Sequence, residues 1–121
     1  MLENSDILTC HTYMPVEAVR ETVAWLKEYG RPLICTEYMA RGCGSTFQTV
    51  LSYFKEEGIG AYNWGLVSGR SQTIYPWDSW QKPYTIEPKP WFHDIFRPDG
   101  TPYDPEEVAF IRKLTERALG N

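Results

Sequence analysis

The chain has 121 residues, 42% of them apolar, 15% aromatic and 23% charged. These proportions exclude a disordered or fibrous chain and fit about one small domain. Twelve Lys and Arg stand against sixteen Asp and Glu, a net charge of -4, and the basic residues are scattered singly, which argues against a phosphate backbone and so against nucleic acid as a partner. No apolar run is long enough for a bilayer span, and the opening MLENSDILT is acidic where a secretory leader is basic and then apolar. The expectation is a soluble chain without a signal peptide, cytoplasmic by default. Cys10, Cys35 and Cys43 are an odd count with no C-x-x-C spacing, which argues against a disulfide scaffold or a zinc site. Cys10 and Cys35 read as small buried hydrophobes.

Residues 7–13, rich in β-favouring side chains, predict a strand that stops at Pro15. Val16, Val19, Val23 and Leu26 then fall at helical spacing, with Pro15 suited to a first turn and Gly30 to a stop, so a helix is expected over 15–29. The run LICTEY, starting at Leu33, is nearly all apolar or β-favouring until its carboxylate, as in a strand covered on both faces. Ser45, with Gln48 three residues on as a capping box, opens a second helix carrying Phe47, Val50, Leu51 and Phe54 before Gly58. A third strand is expected over 59–66. The strand starts Ile7, Leu33 and Ile59 are each 26 residues apart with a helix in both intervals, which defines an α/β chain with a parallel sheet. Residues 67–102 form a long aromatic and Pro-rich loop with Trp77, Trp80 and Trp91. A last helix begins with Asp104 as N-cap, Pro105 at its first position and Glu106 and Glu107 in its first turn, and ends near 118–120.

In parallel strand–helix units the strand C-terminal ends share one side, where such folds place their sites. That rim collects His11 and Tyr13 from the first strand, Glu37 from the second and Asn63 and Trp64 from the third. Glu37 is read as catalytic or ligand-binding, against the alternatives of capping its loop or pairing with Arg31 or Arg41. Indole and phenol faces cover the apolar face of a pyranose, and amide, imidazole and carboxylate groups satisfy its hydroxyls, so the set suits a sugar site. Trp64 is alternatively a core plug. Trp77 and Trp80 extend a saccharide-binding wall or else pack the loop, and Trp91 has the same two readings. His93 and Asp94 read as a surface or loop-anchoring pair in preference to an acid/base pair. Gly42, Gly44 and Ser45 read as a helix-entry turn, since no G-K-[ST] ending follows. No metal is expected, because His11, Cys35 and Glu37 do not gather as ligands and His11 is the one imidazole near the rim. No cofactor is expected.

This pattern resembles the C-terminal part of a retaining glycoside hydrolase of the TIM-barrel clan that includes the family 5 cellulases and mannanases. LICTEYMAR is similar to the seventh barrel strand, which implies Glu37 as nucleophile. GAYNWGLVSG is similar to the eighth, which implies Trp64 against the sugar under attack. DILTCHTYM is similar to the sixth, which implies His11 and Tyr13 as residues that orient the nucleophile. The closing PWFHDIFRPDGTPYDPEEVAFIRKL is similar to the tail that packs the last helix of these enzymes. The resemblance implies a partial (β/α)8 barrel over 1–121, about three C-terminal units, strands six to eight, because a complete barrel takes about 250 residues. It implies an oligosaccharide or polysaccharide ligand with β-linkages. The family's acid/base Glu follows an Asn on the fourth strand, and no such segment is present, so the isolated chain is expected to be strongly impaired. The open sheet is expected to be covered by the missing barrel region or by a homo-oligomeric partner. A carbohydrate-binding module without catalysis, or a structural α/β unit without a sugar site, are the alternatives.

Overall fold

The computed structural model describes residues 4–116. Three parallel strands, β1 (Leu8–His11), β2 (Leu33–Glu37) and β3 (Gly60–Ala61), lie in the order β1-β2-β3 and alternate with helices. This is a short run of strand–helix units and not a closed eight-stranded barrel. Helix α1 (Val16–Lys27) fills the first interval, burying Val19, Val23 and Leu26 on one face. Its exit is made by Gly30, whose φ of +62° is left-handed backbone that a side chain resists.

The second helix enters one residue later than the capping pattern predicts. Ser45 is buried with its hydroxyl donating to the Tyr38 carbonyl, so it is committed to the preceding loop. Thr46 caps instead, its side chain accepting from the Thr49 amide at 3.4 Å. A π-helical stretch, Phe47–Leu51, runs into α2 (Ser52–Glu56). Phe47, Val50 and Phe54 are buried, and Tyr38 meets Phe47 and Phe54 edge-on at 6.2 and 5.6 Å. The third strand is much shorter than expected. Tyr62 still donates its amide to the Cys35 carbonyl at 2.9 Å, but the chain then turns through Gly65 at φ +87°.

Register separates the two faces of the sheet. Leu8 pairs with Leu33, and Cys10 with Cys35 and Ala61; Leu8, Leu33 and Cys35 are buried in the core with the helices. The alternate row is Thr9, Ile34 and Gly60, of which Thr9 and Gly60 are exposed and Ile34 is half-buried. One face is therefore packed and the other open, as strand periodicity requires when only one side has helices.

The 67–102 stretch is ordered and tied to the rim by hydrogen bonds. The Phe92 and His93 amides donate to the Ile74 and Thr73 carbonyls at 2.8 and 3.1 Å, and the Ile95 and Phe96 amides to Leu66 at 3.1 and 2.9 Å. Arg41, just after β2, holds this stretch and α3 (Pro105–Thr115) together. Its guanidinium makes a two-pronged pair with Glu107 at 2.9 and 2.6 Å, and donates to the Trp91 and Asp94 carbonyls at 3.0 and 3.1 Å. The Tyr103 ring lies 4.8 Å from the guanidinium and stacks on Trp91 at 4.6 Å. Helix α3 starts as expected, with Asp104 accepting from the Glu106 amide at 2.8 Å; the end expected at 118–120 lies outside the described residues.

Candidate functional site

Glu37 ends β2, and β1 pairs alongside it with an irregularity between Cys10 and His11 that leaves His11 opposite Glu37. Tyr13, two residues beyond β1, donates its hydroxyl to Glu37 Oε2 at 2.6 Å. His11 Nδ1 lies 3.3 Å from the same oxygen. Neither Arg31 nor Arg41 is a partner; Arg41 is taken by Glu107. Burial pushes the Tyr13 phenol up, and its bond to Glu37 together with the carboxylate charge pushes it further, so Tyr13 stays a donor at neutral pH. A charge-assisted O–H···O bond of this length holds one carboxylate oxygen, and among the described residues no hydrogen bond to the other is formed. Below it, the buried Cys35 thiol donates to the Glu37 carbonyl at 3.2 Å and meets the Thr12 hydroxyl at 3.4 Å, which fixes the backbone at the strand end.

The 67–102 stretch brings a second group of side chains to this rim. Tyr13 meets the Trp77 ring edge-on at 5.1 Å and the His93 ring at 5.4 Å, and Trp77 packs edge-on against Phe92 at 5.0 Å. A small cavity lies beside them, lined by Trp64, Thr73, Tyr75, Trp77, Trp80 and His93. Trp64 is half-exposed on this cavity, which sets aside the core-plug reading. Gly65 places it there: a Cβ at that position would lie 2.6 Å from Asp94 Oδ1 and 3.1 Å from Thr73 Oγ1, so only glycine lets the chain pass. Asn63 braces the same turn, its Nδ2 donating to the Gly65 carbonyl and, at 3.3 Å, to the His93 carbonyl. Trp77 belongs to the cluster around Tyr13, whereas Trp80 is 84% exposed at the cavity's edge. Trp91 is buried on Tyr103, with its indole N–H donating to Glu87 at 2.9 Å, so it packs the loop.

His93 and Asp94 differ most from the sequence reading. Both are buried, so they are not a surface pair, and they do anchor the segment. Asp94 accepts from the Thr73 hydroxyl at 2.8 Å on both oxygens; burial pushes its carboxyl up, opposed by that bond. His93 Nδ1 lies 2.7 Å from the Met39 carbonyl, and a carbonyl only accepts, so the proton sits on Nδ1. Burial lowers the His93 pKa, opposed by the Met39 bond and the charges of Asp94 and Glu37; the ring is neutral at pH 7. A second imidazole besides His11 therefore stands at the rim, against Tyr13 and Trp77. The sequence signal for it was the polar pair His93–Asp94 inside the apolar run WFHDIF, within a stretch otherwise broken by prolines.

The Glu37 carboxylate is thus linked through Tyr13 to Trp77 and His93, which line the cavity. Among the described residues no catalytic pair of Glu residues forms, and no three His, Cys, Asp or Glu gather as a metal site. No helix of the described residues is long and apolar enough to cross a membrane. No protein-family model, curated protein or solved structure matches the chain.

Proposed function

We propose that the chain is the C-terminal part of a retaining glycosidase barrel acting on β-linked saccharides, with Glu37 as nucleophile. In this reading β1, β2 and β3 are barrel strands six to eight, Trp64 is the platform for the sugar under attack, and the open sheet is covered by the rest of the barrel or by a second copy. The observation that carries it is the Tyr13–Glu37 bond of 2.6 Å, with His11 at 3.3 Å, at adjacent parallel strand ends, with Trp77 packed edge-on against Tyr13 at 5.1 Å. Glu37 attacks the anomeric carbon, the bond to the leaving oxygen breaks, and water later displaces Glu37. A retaining partner carboxylate would stand about 5 Å from the nucleophile, and in this reading it comes from outside residues 4–116. A carbohydrate-binding role without catalysis is the second reading, favoured by the absence of a paired carboxylate among the described residues.

A 2-deoxy-2-fluoro glycosyl fluoride separates the two. Fluoride leaves without protonation, so the missing general acid is not needed for the first displacement. In gluco, manno and xylo forms, at least one such reagent is expected to add one glycosyl mass to the peptide containing Glu37, and none to Glu37→Gln. Adduct formation on another carboxylate overturns the assignment; no adduct, with sugars still quenching Trp fluorescence, establishes binding without catalysis.

A further inference from the structure

His93 is pinned at three of its four polar atoms. Its amide donates to the Thr73 carbonyl at 3.1 Å, its carbonyl accepts from Asn63 Nδ2 at 3.3 Å, and Nδ1 donates to the Met39 carbonyl at 2.7 Å. Nε2 is the fourth. None of the hydrogen bonds among the described residues reaches it, and the residue is 2% exposed; the buried side-chain atom left without a partner is the oxygen of the Asn63 amide that holds the His93 carbonyl. The proton on Nδ1 makes Nε2 a lone-pair acceptor, and His93 lines the same cavity as Trp64. The ring cannot turn to satisfy Nε2 without losing Met39 or the edge contacts with Tyr13 and Phe92 at 5.4 and 4.7 Å. An acceptor held this rigidly, with no internal donor, selects for one supplied from outside.

We propose that His93 Nε2 accepts a hydrogen bond from one hydroxyl that a sugar lying on the exposed face of Trp64 inserts into the cavity, whose volume of about 80 Å³ admits such a group and not a whole ring, and that it determines which hydroxyl pattern is taken. This rests on the saccharide reading above and adds a specificity residue to it. The ligand class is a neutral polyol ring with one hydroxyl directed along the Nε2 lone pair; an analogue lacking that hydroxyl leaves the acceptor unpaired and binds about tenfold more weakly.

Two measurements on the 121-residue chain test it. Nitrogen-15 NMR of the free protein at pH 7 is expected to show Nε2 unprotonated and Nδ1 protonated; a proton on Nε2 overturns the assignment with no sugar involved. Cellotetraose, mannotetraose and xylotetraose are then titrated against Trp fluorescence and the His93 nitrogen signals. The bound sugar is expected to shift Nε2, and His93→Asn, which keeps an amide nitrogen near the Nδ1 position, is expected to weaken it about tenfold. His93→Gln, which returns an amide group near the Nε2 position, is expected to recover part of that loss. A sugar that binds wild type and His93→Asn equally, with Nε2 unmoved, overturns the assignment while the saccharide reading stands. If none of the three sugars is bound, both fall.

Discussion

Residues 8–61 and residues 67–103 are held together by different physics. In the first region, strands and helices close a core of Leu8, Val19, Val23, Leu33, Phe47, Val50 and Phe54, and non-directional apolar burial does most of the work. In the second, regular structure is almost absent, and directional polar contacts replace it: Arg41 on two carbonyls, Asn63 on the Gly65 and His93 carbonyls, Thr73 on Asp94, and His93 on Met39. Several of these contacts run between the two regions. The scaffold supplies Glu37, and the polar-tied segment supplies Trp77 and His93.

That contrast is broken most severely at Arg41. The Arg41 and Glu107 side chains are 7% and 8% exposed, so Arg41→Ala leaves a buried carboxylate without its partner, a loss of about 3–5 kcal/mol. Urea unfolding should show it, and Arg41→Met with Glu107→Leu should recover most of it; a loss below about 1 kcal/mol for Arg41→Ala would mean that the segment is held by its aromatics. Gly65→Ala comes next. With φ at +87° and a Cβ directed at Asp94, it is expected to cost about 1–3 kcal/mol and to displace Trp64, read as a shift in Trp fluorescence.

A smaller effect comes from His93. Its pKa lies below the ordinary 6.5, so the unfolded chain binds the proton more tightly and stability falls as pH drops below 6.5 toward the lowered value. Asp94 and Glu37 favour the charged ring and Arg41 opposes it, but burial outweighs them. Stability measured against pH should lose this slope in His93→Asn, and an acid-stabilised wild type would reverse the argument. The smallest effect is expected at Trp80, whose exposure of 84% puts Trp80→Ala within about 0.5 kcal/mol of wild type by thermal unfolding.

The difference between the regions also explains what was legible in the sequence. Apolar periodicity and the 26-residue spacing located three strands and the helices between them, because burial repeats with the period of the backbone. The same spacing puts Glu37, His11 and Tyr13 at neighbouring strand ends, and the structure brings these three side chains together. The helix entry at Thr46 was missed because the Ser45 hydroxyl is used by Tyr38, a contact no local pattern encodes. Arg41 and Glu107, 66 residues apart, have no periodic signature either. Trp77 and Trp80 look equivalent in PWDSW, yet a four-residue 3-10 turn, Trp77–Trp80, sends one toward Tyr13 and the other to solvent. The burial of His93 at the rim has no local signature, because it is held by Met39, Tyr13 and Asn63, all distant in the chain.

Scaffold and polar-tied segment form one unit around Glu37. Native-state hydrogen exchange tests this most directly, comparing the amides of Phe92, His93, Ile95 and Phe96 with those of β2. Both sets are expected to exchange only through the same global opening and to share one protection free energy. Exchange of the 92–96 amides at much lower protection, while β2 stays closed, would contradict it.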